Sequence, residues 1–190
     1  AVLEIFQAYA MMRGMVEAER GSYSLIRTGT IPLLLVADLI LGYSISSYQI
    51  AGIFIIFISL LIFFLNHGVS KQGLGWTIFS TVNAAITISL FKYNITHFNS
   101  IEVEQLFIFL IIMIYLLVSA RFWGYENPIL ALKKPIFFLQ ASSSGLGDLL
   151  GSFALTFASA SIITTSQRSF AVLWALFSGN LYFHEKELGR

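Results

Sequence analysis

The chain has 190 residues, of which 57% are hydrophobic and only 11% are charged, and its formal net charge is +1. Soluble domains carry roughly 25% charged residues because their surface faces water, so this composition indicates an integral membrane protein. The small net charge excludes the basic surface that nucleic-acid binding requires. The absence of cysteine excludes disulfide frameworks, thiolate metal sites and cysteine nucleophiles.

Stretches without charge predict helices, because a chain that crosses lipid must satisfy its backbone hydrogen bonds internally. A partial helix in residues 1–20 precedes six stretches that approach the ~20 residues needed to cross a bilayer. These stretches are at about 22–43, 48–65, 73–94, 103–122, 134–157 and 160–183. Lys92, near the end of the third stretch, is expected nearly alone on one side of the membrane, opposite most of the other basic residues. We therefore predict an all-α polytopic bundle with six full spans and one partial span, located in a plasma membrane (the inner membrane of a bacterium).

A polar, glycine-rich segment at 67–75 predicts a linker between a first half, residues 1–66, and a second half, residues 76–190. The alternative is an ordinary loop between two helices. A weak internal repeat relates the two halves, and internal repeats are how many transporters are built. The matching positions are Ser22 with Ser159, Ser24 with Ser161, Ile26 with Ile163 and Gly42 with Gly179.

The first full span carries two charges on one helical face, Arg27 and Asp38. Pro32 lies between them and predicts a kinked or weakened helix, since proline has no N–H to donate. Arg27 either lines a polar pathway or extends from the helix start to the membrane surface.

The span at 73–94 places Ser80, Asn83 and Thr87 on one face. Because an unpartnered amide in lipid is costly, Asn83 either contacts a solute or makes a hydrogen bond between helices.

The span at 134–157 carries one acid, Asp148, on a face shared with Ser144 and Ser152. A charge at the bilayer centre costs at least ~2.5 kcal/mol and tends to mark a pathway or a proton relay. Its alternative role is to pair with a buried arginine. Beside this face, Ser143, Gly147 and Gly151 form a ridge of small residues that favours close helix packing.

The last span contains Gln167 and Arg168, about two turns inside its start. The spans at 48–65 and 103–122 are instead almost wholly apolar, as expected of helices that face lipid. The pattern predicts a bundle whose polar faces surround a cavity, which is what a solute pathway requires.

Two stretches of the chain resemble a known family. The segment SQRSFAVLWALFSGNLYFHEK at 166–186 ends in the cluster Phe183, Glu185 and Lys186. It is similar to the end of the ninth helix in the EamA-type branch of the drug/metabolite transporter superfamily. The region from 24 to 64 resembles the fourth and fifth helices of that family, through a mid-helix proline, a helix-closing glycine and a Gln-x-x-Gly start. These residues are Pro32, Gly42, Gln49 and Gly52.

The resemblance implies ten helices in two inverted five-helix repeats around a central cavity, and a chain that is a fragment running from the end of helix three to helix nine. Two positions depart from the family pattern. Tyr43 follows Gly42 where the family usually has glutamate, and His184 stands in place of a glycine. A substrate preference therefore does not transfer from the family to this chain.

The features together predict gradient-driven secondary transport of a small organic solute, a metabolite or a drug, by alternating access, without a cofactor or metal. Arg27 and Arg168 would hold an anionic group, and Asp148 a proton or a cationic group. Polar contacts would complete the predicted site at Asn83, Thr87, Ser144 and Gln167. The stretch SGLGDLLG lacks the lysine of a phosphate-binding loop, so ATP is not expected to drive transport.

Two alternatives remain at this point. A non-transporting membrane subunit or scaffold would need its polar residues for folding alone. An intramembrane enzyme would need a nucleophile with a base or a metal centre. His67, His97 and His184 lie at the ends of different predicted spans, so we do not expect an enzyme.

Overall fold

The structure is a computed structural model and describes residues 2–18, 20–65, 71–122, 130 and 133–182. Eight α-helices of 9 to 24 residues run through these residues, which contain no β-strand. The helices are α1 (Val2–Glu17), α2 (Arg20–Thr28), α3 (Thr30–Ile40), α4 (Ser47–Leu65), α5 (Leu74–His97), α6 (Ile101–Phe122), α7 (Pro135–Ala154) and α8 (Ala160–Tyr182). The predicted all-α class is confirmed, and the helix bounds follow the predicted stretches closely.

Three described stretches are long and apolar enough to cross a membrane. They are Ser22–Ile40, which joins α2 and α3, together with α5 and α6. The described apolar part of α4, Ser47–Ile62, is shorter. These helices support an integral membrane protein, whereas six spans arranged as inverted repeats stay a prediction.

A break at Gly29 separates α2 from α3, one turn before Pro32. Proline removes the hydrogen bond to the carbonyl four residues earlier, and its ring crowds that carbonyl. Two shorter-range bonds take over: the N–H of Gly29 donates to the carbonyl of Ile26 at 3.0 Å, and the Thr30 hydroxyl donates to the carbonyl of Arg27 at 2.8 Å. The predicted weak point in this helix is therefore confirmed, and it lies beside Arg27.

The end of α3 is closed by Gly42, whose φ of +78° belongs to the left-handed region. The N–H of Gly42 donates to the carbonyl of Leu39 at 3.2 Å, and the N–H of Tyr43 donates to that of Asp38 at 3.0 Å. This pair of bonds is a Schellman cap, which satisfies carbonyls that a helix end otherwise leaves free. The predicted helix-closing glycine is thus confirmed.

The centre of the bundle is α5, against which α1, α2 and α3 pack, while α8 packs against α3 and α4. Helices from before and after the predicted linker are therefore in direct contact. Two clusters of buried apolar side chains fill the spaces between them. The larger consists of Leu34, Ala85, Phe91, Ile101, Leu155 and Ala160, and the smaller of Ile31, Leu35, Ile53 and Leu60.

The outer helices present large apolar side chains at the surface, and α7 has no buried residue. Phe107 on α6 is 59% exposed and Leu150 on α7 is 69% exposed. An exterior of this kind suits lipid rather than water. Residues 66–70 of the predicted linker region and residues 183–186, which carry the quoted family cluster, lie outside the described residues.

Candidate functional site

A cavity of about 340 Å³ lies within the bundle, between α1, α2, α5, α6, α7 and α8. Pockets that bind small organic molecules typically have roughly 300–1,000 Å³. Much of the wall is apolar, and every one of the six helices also contributes a polar side chain. The polar lining residues are Glu4, Gln7, Arg27, Thr87, Gln105, Asp148, Ser152, Thr164 and Gln167.

Four of the seven predicted site residues line this cavity, namely Arg27, Thr87, Asp148 and Gln167. They come from α2, α5, α7 and α8, so the fold brings together residues that are far apart in sequence. Arg168 lies next to the lining residue Gln167. Asn83 and Ser144 do not line the cavity, and Ser144 is exposed on α7.

Asn83 is buried between α5 and α1. Its side-chain amide donates to the backbone carbonyl of Leu3 at 2.9 Å and to Oε1 of Gln7 at 3.0 Å. Both amide hydrogens therefore have partners, as a buried amide requires. This arrangement matches the second role considered for Asn83, a hydrogen bond between helices.

The guanidinium group of Arg27 lies inside the bundle, because this side chain is only 8% exposed. Its Nη1 donates to the backbone carbonyl of Ser80 at 3.0 Å, whereas its Nε is buried without a partner. Arg168 lies close enough for the two guanidinium groups to repel each other. Arg27 is thus a buried residue whose charge lies between helices.

Asp148 has no arginine partner in the described part of the chain. The ion pair found among these residues joins Arg13 and Glu17, at 3.3 Å on the exposed side of α1. Asp148 instead lines the cavity beside Gly147 and Gly151, and its residue is exposed. Its alternative role as the structural partner of a buried arginine is therefore not supported.

The turn at 155–159 between α7 and α8 is held by two charges from other helices. The Lys92 ammonium of α5 donates to the carbonyl of Leu155, which follows the last residue of α7. The Asp38 carboxylate of α3 accepts a hydrogen bond from the N–H of Ser161 at 2.7 Å, in the first turn of α8. A cation at a helix C-terminus and an anion at an N-terminus both complement the helix dipole.

These two charges are also close enough to attract each other. Asp38 is fully buried and Lys92 is only 7% exposed. The Lys92 ammonium lies 5.4 Å from the centre of the Tyr43 ring, a cation–π arrangement. Lys92 is therefore buried between helices, with its charge at the C-terminal end of α7.

Gln105 is a polar residue that sequence reasoning missed. It is buried at the start of α6, and its Oε1 accepts a hydrogen bond from the Ser152 hydroxyl at 2.7 Å, which ties α6 to α7. Helices α7 and α8 also approach each other closely at Gly151. A side chain at this position would clash with Gln167, because an added Cβ would lie 2.5 Å from its Nε2. The small-residue ridge of α7 therefore leaves room for a polar side chain in the cavity wall.

No protein-family model, no curated protein and no solved structure matches the chain. The described residues contain no group of three His, Cys, Asp or Glu side chains that could hold a metal ion. What the site can do must therefore be argued from its own geometry. That geometry is a cavity between six helices, lined by the cationic side chain of Arg27 from α2 and by acidic side chains from α1 and α7.

Proposed function

We propose that the chain is a gradient-driven secondary transporter, or a part of one, that moves a small organic solute across a membrane by alternating access. The observation that carries this proposal is the cavity, whose charged and polar lining comes from six helices of a bundle with an apolar exterior. Ionisable side chains within a membrane bundle are taken as functional by default, because they are expensive to keep there. Membership in the EamA-type branch of the drug/metabolite transporter superfamily is part of this proposal.

The cavity suits a solute because its lining groups keep free capacity for hydrogen bonds. Asp148 has no ion pair within the described residues, and Nε of Arg27 is buried without a partner. A buried donor without a partner, such as this Nε, is unusual in a bundle that only needs to pack. The carboxylate of Asp148 is exposed and lines the cavity, so a cationic group or a proton can reach it.

Two discontinuities near the cavity give the bundle places to bend. One is the break at Gly29, next to Arg27, and the other is the turn at 155–159 between α7 and α8. Transporters use interrupted helices, such as the one broken at Gly29, at their substrate sites, whereas the turn at 155–159 connects two separate helices. Alternating access would need the helices on one side of the cavity to move against those on the other.

The test places the purified chain in liposomes that contain a pH-sensitive dye. Organic acids, amino acids, nucleosides and cationic drugs are added in turn to wild type, to Asp148→Asn and to Glu102→Gln. Glu102 is the matched control, an exposed acid in the first turn of α6. We expect solute-dependent proton movement that Asp148→Asn reduces by about tenfold or more, in the range of a lost charged hydrogen bond, and that Glu102→Gln leaves unchanged.

The other outcomes separate the alternatives. Flux that survives Asp148→Asn would keep the transporter and remove Asp148 from ion coupling. An absence of flux with every solute class, from a chain whose helical spectrum is intact, would favour the scaffold.

A further inference from the structure

We propose that the cavity binds an organic cation, an amine whose ammonium group is balanced by the carboxylates of Glu4 and Asp148. This inference rests on the proposed function for its setting and names the chemical class of the solute. It also adds Glu4, which no sequence pattern pointed to, as a residue of the site. Binding is measured without a transport assay, so the two proposals can fail separately.

The first argument is the balance of charge in the cavity wall. Two acids line the cavity, Glu4 from α1 and Asp148 from α7, and Arg27 is the one base among the described lining residues. Arg27 is already engaged by the protein, because its Nη1 donates to the carbonyl of Ser80 at 3.0 Å. Charges within a membrane bundle are costly unless they are balanced. With two acids against one base, a ligand with a single positive charge would neutralise the wall.

The second argument is that neither carboxylate is used by the described part of the protein. The ion pair found there joins Arg13 and Glu17, away from the cavity. Among the described residues, no hydrogen bond involves the side chain of Glu4 or of Asp148. An acid that only held helices together would have such partners. Both carboxylates are therefore available to a ligand.

The third argument is a buried hydroxyl group in the same wall. Thr164 of α8 lines the cavity and is only 5% exposed. The next residue, Thr165, donates to the carbonyl of Ser161 one turn earlier at 2.6 Å, as threonines in helices often do. The Thr164 side chain makes no hydrogen bond with the described residues. Buried polar groups normally have a partner, and an ammonium group with three N–H donors would supply one.

The rest of the wall describes the body of the cation. Phe91 and Phe109 line the cavity together with aliphatic residues of α5, α6 and α8. Aromatic side chains bury apolar surface and also attract ammonium groups. No group of three His, Cys, Asp or Glu side chains that could hold a metal ion is found among the described residues. A largely apolar wall of this kind is typical of pockets for organic molecules, so an amine with one aromatic ring is a suitable probe.

The test measures equilibrium binding of three probes to the purified chain by calorimetry, in a neutral maltoside detergent. Each probe has one phenyl ring, and the three differ in charge: 2-phenylethylamine is cationic, 2-phenylethanol is neutral and phenylacetate is anionic. The variants are Glu4→Gln, Asp148→Asn, the double variant and Glu17→Gln. Glu17 is the matched control, because it is an acid on α1 that does not line the cavity. Its ion pair with Arg13 is exposed, and such pairs contribute little to stability.

The two single substitutions keep the shape of each side chain and break no hydrogen bond between described residues. Thermal unfolding without a probe checks that each variant is folded. A second scan with 2-phenylethylamine gives an independent readout of binding, because a ligand of the folded state raises the unfolding temperature.

We expect 2-phenylethylamine to bind about tenfold or more tightly than 2-phenylethanol, in the range of a charged hydrogen bond. Each single variant should reduce that preference and the double variant should abolish it, whereas Glu17→Gln should keep it. Equal binding of amine and alcohol would overturn the proposal, as would no binding of the amine or tighter binding of phenylacetate. A preference that is unchanged in either single variant, or equally reduced in Glu17→Gln, would also overturn it.

An ammonium group can belong to a free solute or to a lipid headgroup. Repeating the measurement in phosphatidylcholine with and without phosphatidylethanolamine separates these sources. Competition by phosphatidylethanolamine supports the site and assigns it to a lipid amine, and undiminished binding of 2-phenylethylamine assigns it to a solute.

Discussion

Two pairs of charged residues lie within the same bundle and differ in how they are compensated. Asp38 and Lys92 attract each other, and each also meets a helix end of opposite polarity. Arg27 and Arg168 repel each other and meet no acid among the described residues. Burial alone therefore does not reveal what a charge does. The first pair holds two helix ends, although Oδ1 of Asp38 has no hydrogen-bond partner in the described part of the chain. The second pair has no charge of opposite sign bonded to it among these residues.

The largest expected effect concerns the compensated pair. Asp38→Ala removes the acceptor for the N–H of Ser161 and leaves Lys92 buried without its counter-charge. Losing a hydrogen bond to a charged group typically costs about 1.5–3 kcal/mol. Unfolding by titration with a denaturing detergent should show a loss of that size, and a loss below about 1 kcal/mol would mean that the pair behaves as an exposed one.

Coupling between the same two residues gives the next largest effect. Asp38→Asn and Lys92→Met should each destabilise the fold, and the double variant should lose less than the sum of the two. A double-mutant cycle should give a coupling of about 1–3 kcal/mol, as for residues that belong to one network of charges and hydrogen bonds. Additive losses would show that each charge serves only its own helix end.

A smaller effect is expected where α6 and α7 are joined. Ser152→Ala removes the hydroxyl that donates to Gln105 and leaves a buried acceptor unpaired. The expected loss in unfolding free energy is about 1–2 kcal/mol. Ser144→Ala is the matched control on the same helix, because Ser144 is exposed. Equal losses at both positions would mean that the contact adds nothing specific.

The smallest expected change in unfolding free energy concerns Arg27 and Arg168, and here the change is neutral or stabilising. Arg168→Gln removes a repulsion from Arg27 and no hydrogen bond to the described residues. Its unfolding free energy should stay within about 0.5 kcal/mol of the wild-type value or rise slightly, as for changes that break no contact. A loss of about 3 kcal/mol or more, the range of a broken buried pair, would show that Arg168 stabilises the fold as Asp38 does. The two pairs would then not differ in their contribution to stability.

Helix positions could be predicted from the sequence because they depend on local features. Pro32, Gly42 and the charge-free stretches act within one or two turns, and the helices begin and end close to the predicted bounds. The positions of Arg27, Thr87, Asp148 and Gln167 on the cavity follow from polar residues that share a helical face. The exceptions are residues whose partner lies on another helix. Asn83 is satisfied by α1, and no local pattern shows that contact.

Lys92 and Asp38 show the same limit more clearly. A lysine near the end of an apolar stretch usually extends toward the membrane surface. Here its partner is a carbonyl at the end of α7, 63 positions away in sequence. Asp38 is bonded to a residue 123 positions away. Their roles depend on tertiary contacts between residues far apart in sequence, and no local sequence pattern predicts such contacts.

The loose attachment of α7 has a consequence for how the protein opens. This helix buries none of its residues. Among the described residues, the side-chain hydrogen bonds that hold it to other helices, Ser152 to Gln105 and Lys92 to the carbonyl of Leu155, are both at its C-terminal end. Amide hydrogen exchange follows local unfolding, which is easiest where few contacts must break. The N-terminal half of α7 should therefore exchange long before the centre of α5. Asp148 lies in α7 between the N-terminal half, which makes few contacts, and the C-terminal end, which is hydrogen-bonded to other helices. Local unfolding of α7 up to Asp148 would therefore leave the rest of the bundle folded.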